Sequence, residues 1–151
     1  MMTFVSILFV AILSVDAVEF YCNFKEHYRC EVYSGTISSR NDAYVNGVNG
    51  RHQNSRSNRD VTGFDARKVN LKYFPRNLNS YLPSVTEIFI EQGLLEITKE
   101  DLQQYPKLLW LYLSNNEIKT IEENTFMYNS DLKLIFLGGN KINYIRPSKC
   151  V

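Results

Sequence analysis

Two stretches of this chain, LLWLYLSNNEIKTIEENTF from Leu108 and LKLIFLGGNKINYIRPSKC from Leu132, superpose residue for residue. Leu108, Leu111, Leu113, Asn116, Ile118 and Ile121 meet Leu132, Ile135, Leu137, Asn140, Ile142 and Ile145 at a spacing of 24 residues. Apolar residues at positions 1, 4 and 6 mix periods of three and two, which suits neither an amphipathic helix nor a plain strand. A fixed period with an asparagine in register marks a repeat architecture, and no other feature restricts the fold as tightly.

The template continues backwards with less fidelity. Val85, Ile88, Ile90 and Leu95 hold the early positions of a unit starting 23 residues before Leu108. In it Gly93 replaces the asparagine, and one residue is missing before Ile97. Leu102, Tyr105 and Leu108 lead into the next unit. A further unit begins at Val61 with Phe64, Ala66, Leu71 and Phe74, and closes at Leu82-Pro83. Tyr44–His52 reads as a more degenerate strand. Each unit lays down a short strand, turns at the asparagine and returns on the other side. One unit cannot bury its own leucines, whereas stacked units bury them together. Asn116 and Asn140 are therefore read as turn residues whose amides satisfy backbone groups that no strand neighbour reaches.

The N-terminus carries a compartment signal. Met1 to Leu13 lack charged side chains, Phe4 to Leu13 are dominated by apolar residues, and Ser14-Val15-Asp16-Ala17 offers small or branched residues before a cut after Ala17. The pattern reads as a secretory signal peptide over residues 1–17. It is too short to span a bilayer, which takes about 20 apolar residues. The expected location is extracellular. Under oxidising conditions Cys22 and Cys30 are close enough to pair. The alternative makes Cys22, His27 and Cys30 zinc ligands, but tetrahedral zinc needs four and only three are local. Cys150 is left over and open to an intermolecular disulfide.

These features resemble the leucine-rich repeat family. CNFKEHYRCEV, VNGRH, NLKYFPRNL, EITKEDLQQYPKLLWLYLSNNEI and NKINYI further resemble a group of secreted leucine-rich repeat proteins of dipteran insects. The resemblance implies an extracellular curved repeat domain with a disulfide-containing N-terminal region and no assigned enzyme chemistry. More distant insect relatives bind other proteins in immune recognition.

The expected architecture is an α/β-type repeat: a short leucine-rich repeat solenoid with a parallel β-sheet on the concave face, an irregular or short-helical convex side and an N-terminal disulfide cap. Residues 18–60 form the cap region, and repeats at Val61, Val85, Leu108 and Leu132 occupy 61–151 without a C-terminal cap. Leu132, Ile135 and Leu137 then lack a following layer. An incomplete chain, a natural short form and a homodimer through this end or Cys150 would each explain that.

Side chains alternate along a strand, so positions 3 and 5 of each unit face outward. Position 5 reads Asp65, Phe89, Tyr112, Phe136; position 3 reads Gly63, Glu87, Trp110, Leu134. The expected partner-binding face is an aromatic ladder of Phe89, Tyr112 and Phe136, flanked by Trp110 and Leu134, with Glu87 and Glu91 as an acidic rim. Clustered aromatics with charges at the edge are what an interface hot spot looks like. The same ladder can also serve the sheet itself through cross-strand contacts.

No catalytic constellation, cofactor motif or metal set stands out. His27 and His52 are the only histidines. Glu100-Asp101 and Glu122-Glu123 are read as solvated charges on the convex side. A net charge of +1 gives no basis for nucleic-acid binding. No glycosylation sequon is present. The expectation is an extracellular protein ligand, or a self-associating structural role.

Overall fold

Short β-branched and aromatic runs bounded by turns make short strands, and the described residues of this chain hold nine of them. A computed structural model describes residues 17–24 and 26–146; the signal segment up to Asp16 and Cys150 lie outside the described residues. The strands are β1 (Val18–Phe24), β2 (Arg29–Ser34), β3 (Val45–Asn49), β4 (Gly63–Asp65), β5 (Glu87–Phe89), β6 (Trp110–Tyr112), β7 (Thr120–Glu122), β8 (Leu134–Phe136) and β9 (Tyr144–Arg146). Two four-residue helices, α1 (Leu78–Tyr81) and α2 (Lys99–Leu102), lie in the return segments. Among the described residues no helix is long and apolar enough to cross a membrane.

Seven strands form one sheet in the order β3-β1-β2-β4-β5-β6-β8, and β7 pairs with β9 on a second, two-stranded sheet. Among the described residues only β1 and β2 run antiparallel, and every other strand pairing is parallel. The hairpin reverses the chain once, and β2 then hands the sheet to β4 in parallel register.

Inward positions form the core. Cys30, Phe64, Ile88 and Leu111 share one row across β2, β4, β5 and β6, each fully buried. Position 1 (Val61, Val85, Leu108) and position 6 (Ala66, Ile90, Leu113) are buried above and below that row. Leu102, Tyr105 and Leu108 close the second unit as expected, all buried, and Phe74 meets the Tyr105 ring edge-on at 6.0 Å. The row ends at Ile135 of β8, which is 38 % exposed.

Cys22 and Cys30 form a disulfide across the β1–β2 hairpin, with Cα atoms 5.0 Å apart. Both sulfurs lie in the core, at 2 % and 0 % residue exposure. The bond takes up the two thiols of the zinc alternative, and no metal-ligand group forms among the described residues. Closing so short a loop stabilises the fold by roughly 2–3 kcal/mol.

Residues 18–60 read as a stretch set apart from the repeat, yet three of their strands join the same sheet. β3 lies within the suspected Tyr44–His52 strand, but at the sheet's far edge beside β1 rather than next to β4. The register of the Val85 unit also differs from the expectation. Leu94, not Leu95, is the buried residue; Leu95 is 40 % exposed. The missing residue falls in the turn between Ile90 and Leu94, where Gln92 takes a left-handed φ of 68° and Gly93 one of 148°.

The asparagines close the turns. Asn116 is 3 % exposed. Its Nδ2 donates to the carbonyls of Ile90 (2.7 Å) and Leu113 (3.0 Å), and its Oδ1 accepts from the Gly93 (3.2 Å) and Leu94 (3.0 Å) amides. Asn140 repeats the arrangement one layer on. It donates to Leu113 and Leu137 at 2.6 and 2.9 Å and accepts from the Ile118 amide at 3.1 Å. Each side chain thus bonds the layer before it as well as its own.

Asp101, expected as a solvated charge, is 1 % exposed. It closes a capping box at the start of α2: its Oδ2 accepts from the Thr98 amide and hydroxyl at 3.0 and 2.8 Å. Burial pushes its carboxyl up, against the opposing effects of the Thr98 bonds and the Arg40 and Arg76 charges.

Candidate functional site

The outer face of the sheet is organised by register. Arg29, Gly63, Glu87, Trp110 and Leu134 form one row across β2, β4, β5, β6 and β8. Glu31, Asp65, Phe89, Tyr112 and Phe136 form the next. Parallel strands lie about 4.8 Å apart, so neighbours in a row stack.

The aromatic column forms. Phe89 and Tyr112 stack with centroids 4.3 Å apart and planes 9° from parallel; Tyr112 and Phe136 stack at 4.6 Å and 7°. Such pairs add about 0.5–1.5 kcal/mol each beyond the area they bury. The rungs differ in exposure. Phe136 is 42 % exposed and Leu134 48 %, while Trp110 and Tyr112 are half-buried.

Phe89 departs from the expected open rung, because it is only 7 % exposed. Two guanidinium groups cover it. Arg29 lies 4.5 Å and Arg67 5.2 Å from the ring centroid. Each is anchored by a carboxylate. Arg29 donates to Glu87 from Nε at 2.9 Å and Nη2 at 2.5 Å. Arg67 grips Asp65 with two parallel bonds, at 2.9 and 2.5 Å. Glu87 is therefore not a free acidic rim; it holds an arginine over the first rung. Glu91 is half-buried at the edge of the same region, and its charge raises the Arg67 pKa together with the larger effect of Asp65.

Gly63 explains how Arg29 reaches Glu87. A Cβ at Gly63 would lie 2.5 Å from Arg29 Cγ, so the arginine stem crosses the sheet through the space a side chain would fill. The Asp65 carboxyl shows the resulting field. Burial alone would raise its pKa, but the Arg67 hydrogen bonds and the Arg67 and Arg29 charges outweigh burial and hold it below the ordinary carboxylate value.

Arg29 and Arg67 escape a reading of the repeat alone. Arg29 precedes the first recognisable unit, and Arg67 lies two residues past its strand. The available signal was the glycine at position 3, where later units carry Glu, Trp and Leu.

The face thus divides in two. Over β2, β4 and part of β5 it is a mesh of paired charges. Over β6 and β8 it is a half-open strip of Trp110, Tyr112, Leu134 and Phe136. What this arrangement offers is shape, aromatic surface and fixed charge, the means of a binding module.

The class defined by the fold is a stack of parallel-strand units, each contributing one rung to an outer face. The leucine rich repeat family model matches residues 83–142, spanning the Val85 and Leu108 units and the start of the next. That match supports a leucine-rich repeat protein, a kind that generally mediates protein–protein interaction and is typically non-enzymatic. No curated protein and no solved structure matches the chain significantly.

Proposed function

We propose that this chain is a secreted leucine-rich repeat solenoid that binds an extracellular protein through the concave face of its sheet, in recognition of the kind seen in immunity. The observation that carries the reading is the continuous stack from Phe89 to Phe136, closed at one end and open at the other. A ladder serving only the sheet has no need of exposed rungs, whereas large exposed apolar patches on folded proteins usually mark interaction sites. Trp110, Tyr112, Leu134 and Phe136 are the contact residues. Phe89 is the buried base of the stack, and Glu87 and Glu91 belong to its charged border.

The test is capture from extracellular fluid. Immobilised wild-type chain should retain a partner that the Trp110→Ala/Tyr112→Ala double variant does not, with both proteins folded by circular dichroism. Equal capture by the two would end the proposal.

A second reading, self-association, draws on β8. Leu134, Ile135 and Phe136 are all exposed, and beyond β8 no further strand of the sheet is present among the described residues. Cys150 belongs to this reading as a candidate intermolecular disulfide. Non-reducing electrophoresis distinguishes it: a dimer that Cys150→Ser abolishes supports self-association, and monomer alone removes that support.

A further inference from the structure

Beside the covered end of the aromatic stack lies a pocket of about 680 Å³. Its walls come from two loops and the sheet: Tyr28 after β1, the segment following β3 with Arg56, and Arg29, Asp65 and Arg67 on the outer face. Both loops carry non-glycine residues in the left-handed region. His27 and Tyr28 have φ of 60° and 49°, and Asn54 and Ser55 of 55° and 57°. A bulky aromatic such as Tyr28 rarely adopts this conformation, and such strain persists only where surrounding contacts enforce it. Here they do. Tyr28 OH is 2.7 Å from His52 Nδ1, His52 stacks on Phe24 at 4.0 Å, and His52 Nε2 is 2.8 Å from Asn58 Oδ1. The pocket wall is held in place rather than loosely draped.

The charges of the wall do not balance. Arg29 is matched by Glu87, Arg67 by Asp65, and Glu31 by Lys68 at 3.6 Å. Arg56 lines the pocket and forms no ion pair among the described residues; the opposing charge that it feels is the Asp60 carboxylate, which is held by Ser57 and whose pKa Arg56 helps to lower. Its guanidinium rests over the Tyr28 ring, 4.5 Å from the centroid. The ring fixes the group without neutralising it, since a ring face attracts a cation but accepts no proton and takes up none of its hydrogen bonds. A planar guanidinium held this way matches a carboxylate in two-point geometry. The side-chain amides of Gln53 and Asn54, on the same rim, add neutral donors.

We propose that this pocket receives a carboxylate side chain of the protein partner, so that the ligand segment is acidic at one end and apolar or aromatic where it crosses Tyr112 and Phe136. The inference rests on the concave-face reading and adds to it a polarity and a direction. At about 3.3 Å per extended residue, a segment of roughly four to six residues spans the distance from pocket to open rung.

The probes are immobilised hexapeptides of Phe and Gly carrying either two Glu or two Lys at one end, presented to the full disulfide-bonded chain. The Glu peptides should bind about tenfold more tightly than the Lys peptides, the equivalent of about 1.4 kcal/mol. Arg56→Gln should reduce that preference to less than about twofold, and Arg56→Lys should restore part of it, because a point charge keeps the attraction without the two-point fit. Arg56 is exposed, so neither change threatens the core, and circular dichroism checks this. Phe136→Ala should weaken Glu and Lys peptides alike. Equal binding of the two peptide sets by the wild type, or a preference that survives Arg56→Gln, would overturn the pocket assignment while a Phe136 effect leaves the concave-face reading standing. Loss with Arg56→Gln but none with Phe136→Ala would sustain the pocket and overturn the aromatic face. No binding of any peptide at millimolar concentration would overturn both.

Discussion

The two halves of the sheet solve the same problem differently. From β2 to β5 the inner row is sealed at Cys30, Phe64 and Ile88, and the outer face is closed by arginines tied to Glu87 and Asp65. From β6 to β8 the inner row opens at Ile135 and the outer aromatics stand half-exposed. Strands β4, β5, β6 and β8 share one parallel register, so backbone geometry does not create the difference between their outer faces. It comes from what occupies positions 3 and 5: glycine and acid, crossed by arginine, in one half; Trp, Tyr, Leu and Phe in the other. One half is built to hold itself together, and the other keeps apolar surface available.

The comparison breaks most sharply at the stack. Phe89→Ala removes a ring buried under two guanidiniums and should lower stability by about 3 kcal/mol or more, as for other buried Phe truncations. Phe136→Ala should cost about 1 kcal/mol, because much of its surface is already wet. Denaturant melts of both variants measure the contrast, and equal costs would erase the distinction between the halves.

The asparagine turns give a second contrast. Asn116→Ala strands the Gly93 and Leu94 amides and the Ile90 and Leu113 carbonyls in a buried layer, and should cost about 2–3 kcal/mol. Asn140 makes comparable bonds, but it is only half-buried. Asn140→Ala should cost about 1 kcal/mol, water taking up part of the loss. Thermal melting of the pair checks the order.

A smaller effect tests the arginine mesh. Gly63→Ala forces the Arg29 stem aside and should break its pair with Glu87, at a cost of about 0.5–1 kcal/mol for a partly exposed ion pair. The sharper readout is Phe89, whose ring should become more accessible to solvent by aromatic NMR.

The smallest effect concerns pH. Asp65 is held below its ordinary value in the folded state. It therefore contributes stability that is complete above its unfolded pKa of about 3.9 and fades as pH falls through the lower folded value. Asp101 is shifted the other way. Its protonated form is favoured by folding, so its contribution declines as pH rises through the range just above about 4. Asp65→Asn should flatten the loss of stability on acidification. Asp101→Asn should remove the opposing slope, a sign difference that urea titrations from pH 2 to 6 detect.

Strands β4, β5, β6 and β8 and the aromatic rows were readable from the sequence, because a period of 23 or 24 with fixed inward positions dictates register, whereas the second sheet of β7 and β9 was not expected on a side read as irregular or short-helical. Tyr112 stacks on Phe89 and Phe136 for that reason alone. The Leu94 register was not readable: a deletion inside a turn leaves the strand pattern intact, and only the Asn116 bonds reveal where it falls. The covering of Phe89 was equally hidden. Arg29 belongs to a hairpin with no repeat signature, and its placement depends on β2 pairing with β4, a contact between segments over thirty residues apart. Asp101 resembled a surface charge because a capping carboxylate and a solvated one share the same sequence context.

The central claim is that a partner sits on the open half of the outer face. Site-specific photo-crosslinking tests it most directly, with a benzophenone side chain placed at Phe136 in one protein and at Met127 in another. Met127 is 59 % exposed in the return segment, away from the face. In extracellular fluid the Phe136 probe should yield a discrete adduct with a partner protein and the Met127 probe none. Adducts of equal yield at both positions, or at Met127 alone, would contradict the account.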